Sequence, residues 1–349
     1  MLAKAVDALP TAGEYLYEPK WDGFRALVFR SARETFIQSR DLRPFDRYFP
    51  ELHDACSRLL PPGCVVDGEI VIATPAGLDF DALQLRLHPA SSRVAMLAKE
   101  NPSTFIAFDL LAIDGRDIRA ESQEQRRARL EHAMTGVPPP IRLTAMTRNR
   151  SQAAEWLETF EGAGLDGVIA KPPNLAYAAG KRVMLKIKHA RTADCVVAGF
   201  RWHKSGGDVV GSLLLGLYDD EGNLHHVGVT SAFTMAMRRE LAIMLEPLRK
   251  NALRNHPWRS WTTGAEADVG VRMPGGHSRW SAGKDLSWEP VRVERVCEVK
   301  YDHLQGDRFR HATIFIRWRP DKAPEDCRYD QLEVTRPFEL DQVFGAARG

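Results

Sequence analysis

Residues 18–25 read Glu18-Pro19-Lys20-Trp21-Asp22-Gly23-Phe24-Arg25, with strand formers on both sides, EYLYEPK before and RALVFR after. Asp-Gly between two such runs predicts a β-hairpin with its turn at Asp22-Gly23. A hairpin needs the Asp-Gly pair; it does not need a lysine two residues earlier. Lys20 therefore has two readings. In one it is a surface lysine beside a turn. In the other it is a nucleophile, which acts only as the neutral amine, so an ordinary pKa of about 10.4 must be brought down by burial or neighbouring cations. Arg25 would add to that cationic field, and the same field would hold a phosphate.

Outward from this stretch the first half reads as mixed α and β. CVVDGEIVIAT (64–74) is a pair of apolar runs interrupted by Asp67-Gly68, and STFIAFDLLAIDG (103–115) is a buried strand ending in a turn. QEQRRARLEHAM (123–134) has helical spacing, and its basic run is assigned to a solvated face. SQAAEWLETFEGAG (151–164) is a second amphipathic helix stopped by Gly162 or Gly164, and LDGVIAK (165–171) returns to strand. After Lys188 the character changes. ADCVVAGFRW (193–202) and GSLLLGLYDDEGNLHHVGVTS (211–231) read as strands, the latter turning at Asp220 to Asn223. TMAMRRELAIMLEPLRK (234–250) is one helix, and RVERVCEVKYDHL (292–304) and RHATIFIRWRPDK (310–322) are strands again. Strands with one helix among them predict a small β-barrel of the OB type, with a domain boundary near Lys188.

Bulk properties exclude more than they assign. The formal net charge is +2, which does not announce a nucleic-acid binder; charge concentrates instead in MLKIKHARTADC, with Lys186, Lys188, His189 and Arg191. The cysteines, Cys56, Cys64, Cys195, Cys297 and Cys327, are odd in number and never spaced as CxxC. This argues against a disulfide framework and a zinc finger, and for reduced thiols in a cytoplasmic protein. His225 and His226 face opposite sides of a strand and lack metal partners at ligand spacing. No apolar run is long enough to span a bilayer, and the start carries no signal-peptide pattern.

Several further stretches follow Lys20 in order. Asp67-Gly68-Glu69 joins two apolar runs, and Phe108-Asp109 ends a buried one. Asp166 to Lys171 repeats turn, apolar strand and polar end; Leu185-Lys186-Ile187-Lys188 puts two lysines on one strand face; Arg317 to Lys322 closes the series. Each alone has a plain structural reading. Together they resemble the covalent nucleotidyltransferase superfamily, specifically the ATP-dependent DNA ligases. Lys20 to Arg25 is similar to the nucleotidyl-lysine motif KxDGxR, and Ser39-Arg40 to the short Ser-Arg motif that follows it. Phe105 to Asp109 resembles the motif whose aromatic stacks on adenine, Asp166 to Lys171 EGxxxK, Lys186 to Lys188 KxK, and Arg319 to Lys322 the RxDK of the OB domain. The resemblance covers nearly the whole chain and is strongest to compact two-domain bacterial ligases associated with DNA repair. One departure is Asp166, where the family usually has Glu, a carboxylate one methylene longer.

The resemblance implies an α+β fold: an adenylyltransferase domain of antiparallel sheets with helices (1–188), followed by an OB-fold β-barrel (189–349). It implies nick sealing through a lysyl-AMP on Lys20 and a DNA-adenylate. Glu18 would accept a hydrogen bond from the adenine amino group. Phe108 would stack on the base, the other reading being a core phenylalanine. Glu69 and Arg25 would grip the ribose, Lys186 and Lys188 the α-phosphate, Lys171 that phosphate or the nick's 5′-phosphate, and Arg40 a phosphate. Arg319, Asp321 and Lys322 would orient the pyrophosphate, the OB domain moving on a linker after Lys188. Asp166 is the candidate metal ligand, for Mg2+ or Mn2+. Arg201, Lys204 and Arg279, with Trp202 nearby, are candidate contacts to the DNA backbone. Expected partners are nicked double-stranded DNA and a repair polymerase or end-binding protein, with the ligase itself a cytoplasmic monomer and no membrane involved. Alternatives at this point are an RNA ligase, an mRNA-capping-type guanylyltransferase, and a non-enzymatic OB-type nucleic-acid-binding protein.

Overall fold

The computed structural model describes residues 1–75, 77–188, 191–262, 287–302, 304–332 and 338–345. The chain divides into two units, Met1–His189 with Thr335–Gly349, and Ala190–Val334.

The first unit holds two sheets. In the larger, the order is Thr35–Ser39, Phe24–Arg30, Cys64–Thr74, Ser103–Ile113 and Arg116–Asp117, all antiparallel, and Ile141–Leu143 pairs parallel to Ser103–Ile113. The smaller sheet runs Leu2–Val6, Arg182–Ile187, Val168–Lys171, Leu16–Pro19, and its first pair is parallel. Alternation along Cys64–Thr74 sends Val66, Ile70 and Ile72 into one core with Phe49, Leu52, Phe105 and Leu130. Val71 points the other way, into a second core with Tyr17, Trp21, Ile106, Val168 and Ile187. That second core takes residues from both sheets and so packs them together.

Asp22-Gly23 does not form the expected hairpin. Leu16–Pro19 pairs in the smaller sheet, while Phe24–Arg30 pairs in the larger, so residues 20–23 carry the chain from one sheet to the other. Gly23 has no left-handed φ; its requirement is space, because a Cβ would lie 2.1 Å from the carbonyl oxygen of Ile70. Asp67-Gly68 likewise lies inside one uninterrupted strand, Cys64–Thr74. The Asp-Gly pair that does turn is Asp114-Gly115, with φ of 51° and 74°, between Ser103–Ile113 and Arg116–Asp117.

The second unit is a five-stranded antiparallel sheet in the order Leu224–Thr230, Gly206–Tyr218, Arg191–His203, Glu289–Tyr301, Ile314–Trp318. It curls until a bridge between Thr230 and Thr313 joins its two edges, the closed form expected of an OB barrel. Leu241, Leu245 and Leu248 of helix Met235–Arg249 enter its core beside Leu213, Leu215 and Trp258. All five cysteines are free and buried.

The C-terminal helix Leu340–Gly345 packs on the first unit, not the second. Its Leu340 and Val343 join the core that contains Trp21 and Trp156, Phe344 stacks on Trp21 at 5.6 Å, and Phe338 meets Phe160. A run of apolar side chains on one short helix needs such a cover. The first unit therefore takes its residues from both sides of the second in sequence.

Candidate active site

The segment that carries Lys20 is clamped at the end of the smaller sheet. Lys20 donates its backbone N–H to Gly167 O at 2.8 Å, and Asp166 N–H donates back to Lys20 O at 2.9 Å. Gly167 has φ 113°, and a Cβ there would lie 2.1 Å from Ile187 O. Glycine thus lets three chain segments, 20, 166–167 and 187, come together.

These segments bring three lysines and one acid into a group. Lys20 Nζ donates to Asp166 Oδ2, and Lys188 Nζ reaches the same oxygen at 2.8 Å. Burial works against the charged form of Asp166, but Lys20 and Lys188 outweigh it and hold its carboxyl below the ordinary range. Lys186 is held below the usual ammonium range, first by burial and then by repulsion from Lys188 and Lys20.

Beside the group opens a cavity of about 430 Å³, lined by Glu18, Lys20, Arg25, Arg40, Glu69, Phe108, Lys171 and Lys186 among others. Eight residues singled out from the sequence thus share one cavity of the size that holds small ligands. Glu18 is buried, with Lys171 Nζ at 2.7 Å and Arg127 Nη1 at 3.5 Å from its two oxygens. Lys171 also donates to Phe108 O at 3.0 Å. The Phe108 ring lines the cavity, with Arg25 and Lys171 near it at 5.5 and 5.0 Å, whereas Phe105 lies in the core. Arg25 is committed: Nε and Nη2 bind Asp67 at 2.9 and 2.5 Å, and Nη1 binds Met1 O at 2.5 Å. Burial pushes the Glu69 carboxyl up to about 7, with Lys20 and Arg25 pulling the other way. Arg40 is exposed.

Asp166 and Lys188 adjoin the cavity through Lys20. Arg319, Asp321 and Lys322 belong to the second unit, where they form a group of their own. Arg319 Nε and Nη2 bind Asp321, while Arg319 Nη1 and Lys322 Nζ bind Asp194. Lys204 is exposed in the turn between Arg191–His203 and Gly206–Tyr218. Trp202 instead packs against the core and donates to Glu289 at 3.3 Å. Arg279 lies outside the described residues.

The basic run in helix Gln123–Ala133 is a correction. Arg126 and Arg127 are buried, not solvated. Arg126 forms a two-pronged ion pair with Asp109 at 2.8 and 3.0 Å, and Arg127 backs Glu18. The signal was present: Gln123, Arg126, Arg127 and Leu130 recur at i, i+3, i+4, i+7, the buried face. Their polar identity hid it. Tyr177, which donates to Asp67 at 3.1 Å, had no sequence signal.

Among the described residues no group of three or more His, Cys, Asp or Glu side chains is arranged to hold a metal.

Comparison with known proteins agrees with this arrangement. Residues 1–188 match the family model for the ATP dependent DNA ligase domain, and residues 206–322 that for the ATP dependent DNA ligase C terminal region. DNA ligase C2 of Mycolicibacterium smegmatis is 54% identical over 334 residues, covering 95% of this chain and 93% of that one. DNA ligase C of Mycobacterium tuberculosis is 53% identical over 354 residues, covering 100% and 97%. In fold, the chain resembles a solved Lig E DNA ligase, described as a minimal scaffold for DNA binding, with TM-score 0.53 and 18% identity over 90% of this chain and 100% of that one. The chain belongs to the ATP-dependent DNA ligases, enzymes that use ATP to seal nicks in DNA.

Proposed function

We propose that sealing runs through a phosphoramidate between Lys20 Nζ and AMP. The carrying observation is that Lys20 stands at the cavity wall, its amine against Asp166 and its backbone clamped to the Asp166-Gly167 segment. The Lys20 amine attacks the α-phosphorus of ATP; the N–P bond forms, the P–O bond to the bridging oxygen breaks, and pyrophosphate leaves. Asp166 accepts a hydrogen bond from Nζ and so holds the amine at the cavity, the proton that Nζ gives up passing to solvent. A 5′-phosphate oxygen at the nick then attacks the same phosphorus and releases Lys20. The 3′-hydroxyl finally attacks the 5′-phosphorus, a phosphodiester forms, and AMP leaves. Each step is a displacement at phosphorus, where positioning and charge neutralisation supply most of the acceleration.

The remaining residues divide along the cavity. Glu18, held by Lys171 and Arg127, reads the base amino group, and Phe108 stacks on the ring. Glu69 meets the ribose, and Arg25 holds the wall through Asp67 and Met1 O. Lys186, Lys188 and Arg40 neutralise phosphate. Mg2+ or Mn2+ fits only jointly with phosphate oxygens, through Asp166 or Glu69, because the described residues offer no all-protein cage. When bound, it would neutralise phosphate charge.

The two-unit layout shared with compact bacterial ligases supports a repair role, beside a repair polymerase or end-binding protein, as a cytoplasmic monomer. Among the described residues no helix is long and apolar enough to cross a membrane.

Lys20→Ala is the direct test. Intact mass should show no added adenylate after incubation with ATP, nick sealing should vanish, and DNA binding should persist. Sealing by this variant would refute the nucleophile.

A further inference from the structure

Asp194 has no place in the motifs read from the sequence, yet it organises the group around Arg319. It lies in strand Arg191–His203, more than a hundred residues before that group, and is mostly buried. Its two oxygens both lie 2.9 Å from Arg319 Nη1, and its Oδ2 lies 3.2 Å from Lys322 Nζ. Asp321 takes the other edge of the Arg319 guanidinium, at Nε and Nη2. Arg319 therefore has its donors divided between two carboxylates. The ones Asp194 holds, Nη1 and the Lys322 ammonium, converge on a single anionic group, and a phosphate has the same demand for converging donors.

We propose that Asp194 is an internal substitute for phosphate: it holds Arg319 and Lys322 when they are off the nucleotide, and competes with pyrophosphate for them. The proposal rests on the reading that these two cations receive the pyrophosphate of ATP. Asp321 can stay in place during the exchange, since it uses a different edge of the guanidinium. Asp194 must let go, because its oxygens occupy the positions an incoming phosphate oxygen needs. The exchange trades one anion for another at the same donors, so the cations are never left without a counter-charge. It also limits how tightly pyrophosphate is retained, and so favours its departure once Lys20 carries AMP. The exchange leaves the local fold intact, because Gln331 anchors Asp194 through the backbone alone. Asp194 N–H donates to Gln331 Oε1 at 2.7 Å, and Gln331 Nε2 donates to Asp194 O at 3.1 Å.

The test follows the initial rate of lysyl-AMP formation with labelled ATP as inorganic pyrophosphate is raised. Asp194→Asn keeps the shape and removes the charge, and should be half-inhibited at about tenfold lower pyrophosphate than the parent, the scale of one charge-assisted contact. Asp194→Glu restores the charge and should return the parental value. Asp194→Ser, which removes the carboxylate with less volume, should shift in the same direction as Asn, and melting midpoints of all three report folding. An Asn variant that needs as much pyrophosphate as the parent, or more, overturns the competition and makes Asp194 an organiser of the group. Arg319→Ala separates the underlying reading: it should require more pyrophosphate for half-inhibition. If Arg319→Ala matches the parent, the cations do not receive pyrophosphate and the proposal falls with that reading.

Discussion

Glu69 is the residue whose charge should most visibly couple the site to pH. Burial raises its carboxyl from an ordinary 4.5 to about 7 in the nucleotide-free fold. Between those values the folded protein binds a proton that the unfolded chain has released. Stability therefore falls as pH rises from about 4.5 to about 7, and levels off above. Asp166 works in another window: its depressed carboxyl contributes stability above the ordinary carboxylate range, which is lost only as pH falls through its lowered value. Glu69→Gln should flatten the first slope and leave the second. Relative to the parent it should gain up to about 3 kcal/mol by neutral pH. Thermal midpoints of both proteins across that range check this, and parallel curves would contradict the assigned burial.

At the scale of elements, the helix Leu340–Gly345 touches the residue next to the proposed nucleophile. Phe344 stacks on Trp21, which follows Lys20 directly, and Arg142 lies 4.0 Å over the other partner of that stack, the Phe344 ring. Trp21 is further held by Thr144, whose hydroxyl accepts from its Nε1 at 2.8 Å. Phe344→Ala should cost about 1–3 kcal/mol, less than a fully buried ring because Phe344 is only half-buried. It should slow lysyl-AMP formation more than it raises the KM for ATP; equal stability with an unchanged rate would show the stack to be idle.

The same scale shows what the sequence could disclose. Strand-forming runs, the closed barrel and the residues gathered at the cavity were legible, because they depend on alternation and on side chains whose chemistry needs one another. The role of Asp22-Gly23 was not. An Asp-Gly pair between strands reads the same whether it reverses the chain or lets it cross between sheets beside the Ile70 carbonyl; only the partners of the flanking strands distinguish the two. Arg126 and Arg127 were misread for a different reason. Arg127 has a local acid, Glu131 at i+4, but its second acid, Glu18, and the Asp109 partner of Arg126 lie on strands outside the helix, and no helical pattern announces those.

On the scale of the whole molecule, the second unit is an insertion. The first unit is built from residues on both sides of it, and Leu340 and Val343 complete a core begun by Leu9, Tyr17 and Trp21. A single linker after Lys188 is therefore only half of the connection in sequence. Composition and strand pattern shift near Lys188, and the sequence marks that change. The return of the chain is not marked, because a short apolar helix carries no sign of which core it will join.

This return sets an order on synthesis. A ribosome that has made everything through the barrel has yet to make the segment that finishes the adenylylating core, so that core closes only after residues 338–345 have emerged. A chain stopped at residue 334 should emerge with a poorly packed first unit, a lower melting midpoint and little self-adenylylation, though it contains every residue assigned here to the chemistry. Parental labelling by such a chain would show that Trp21 needs no cover. If the order holds, a chain not yet made past residue 334 cannot consume ATP.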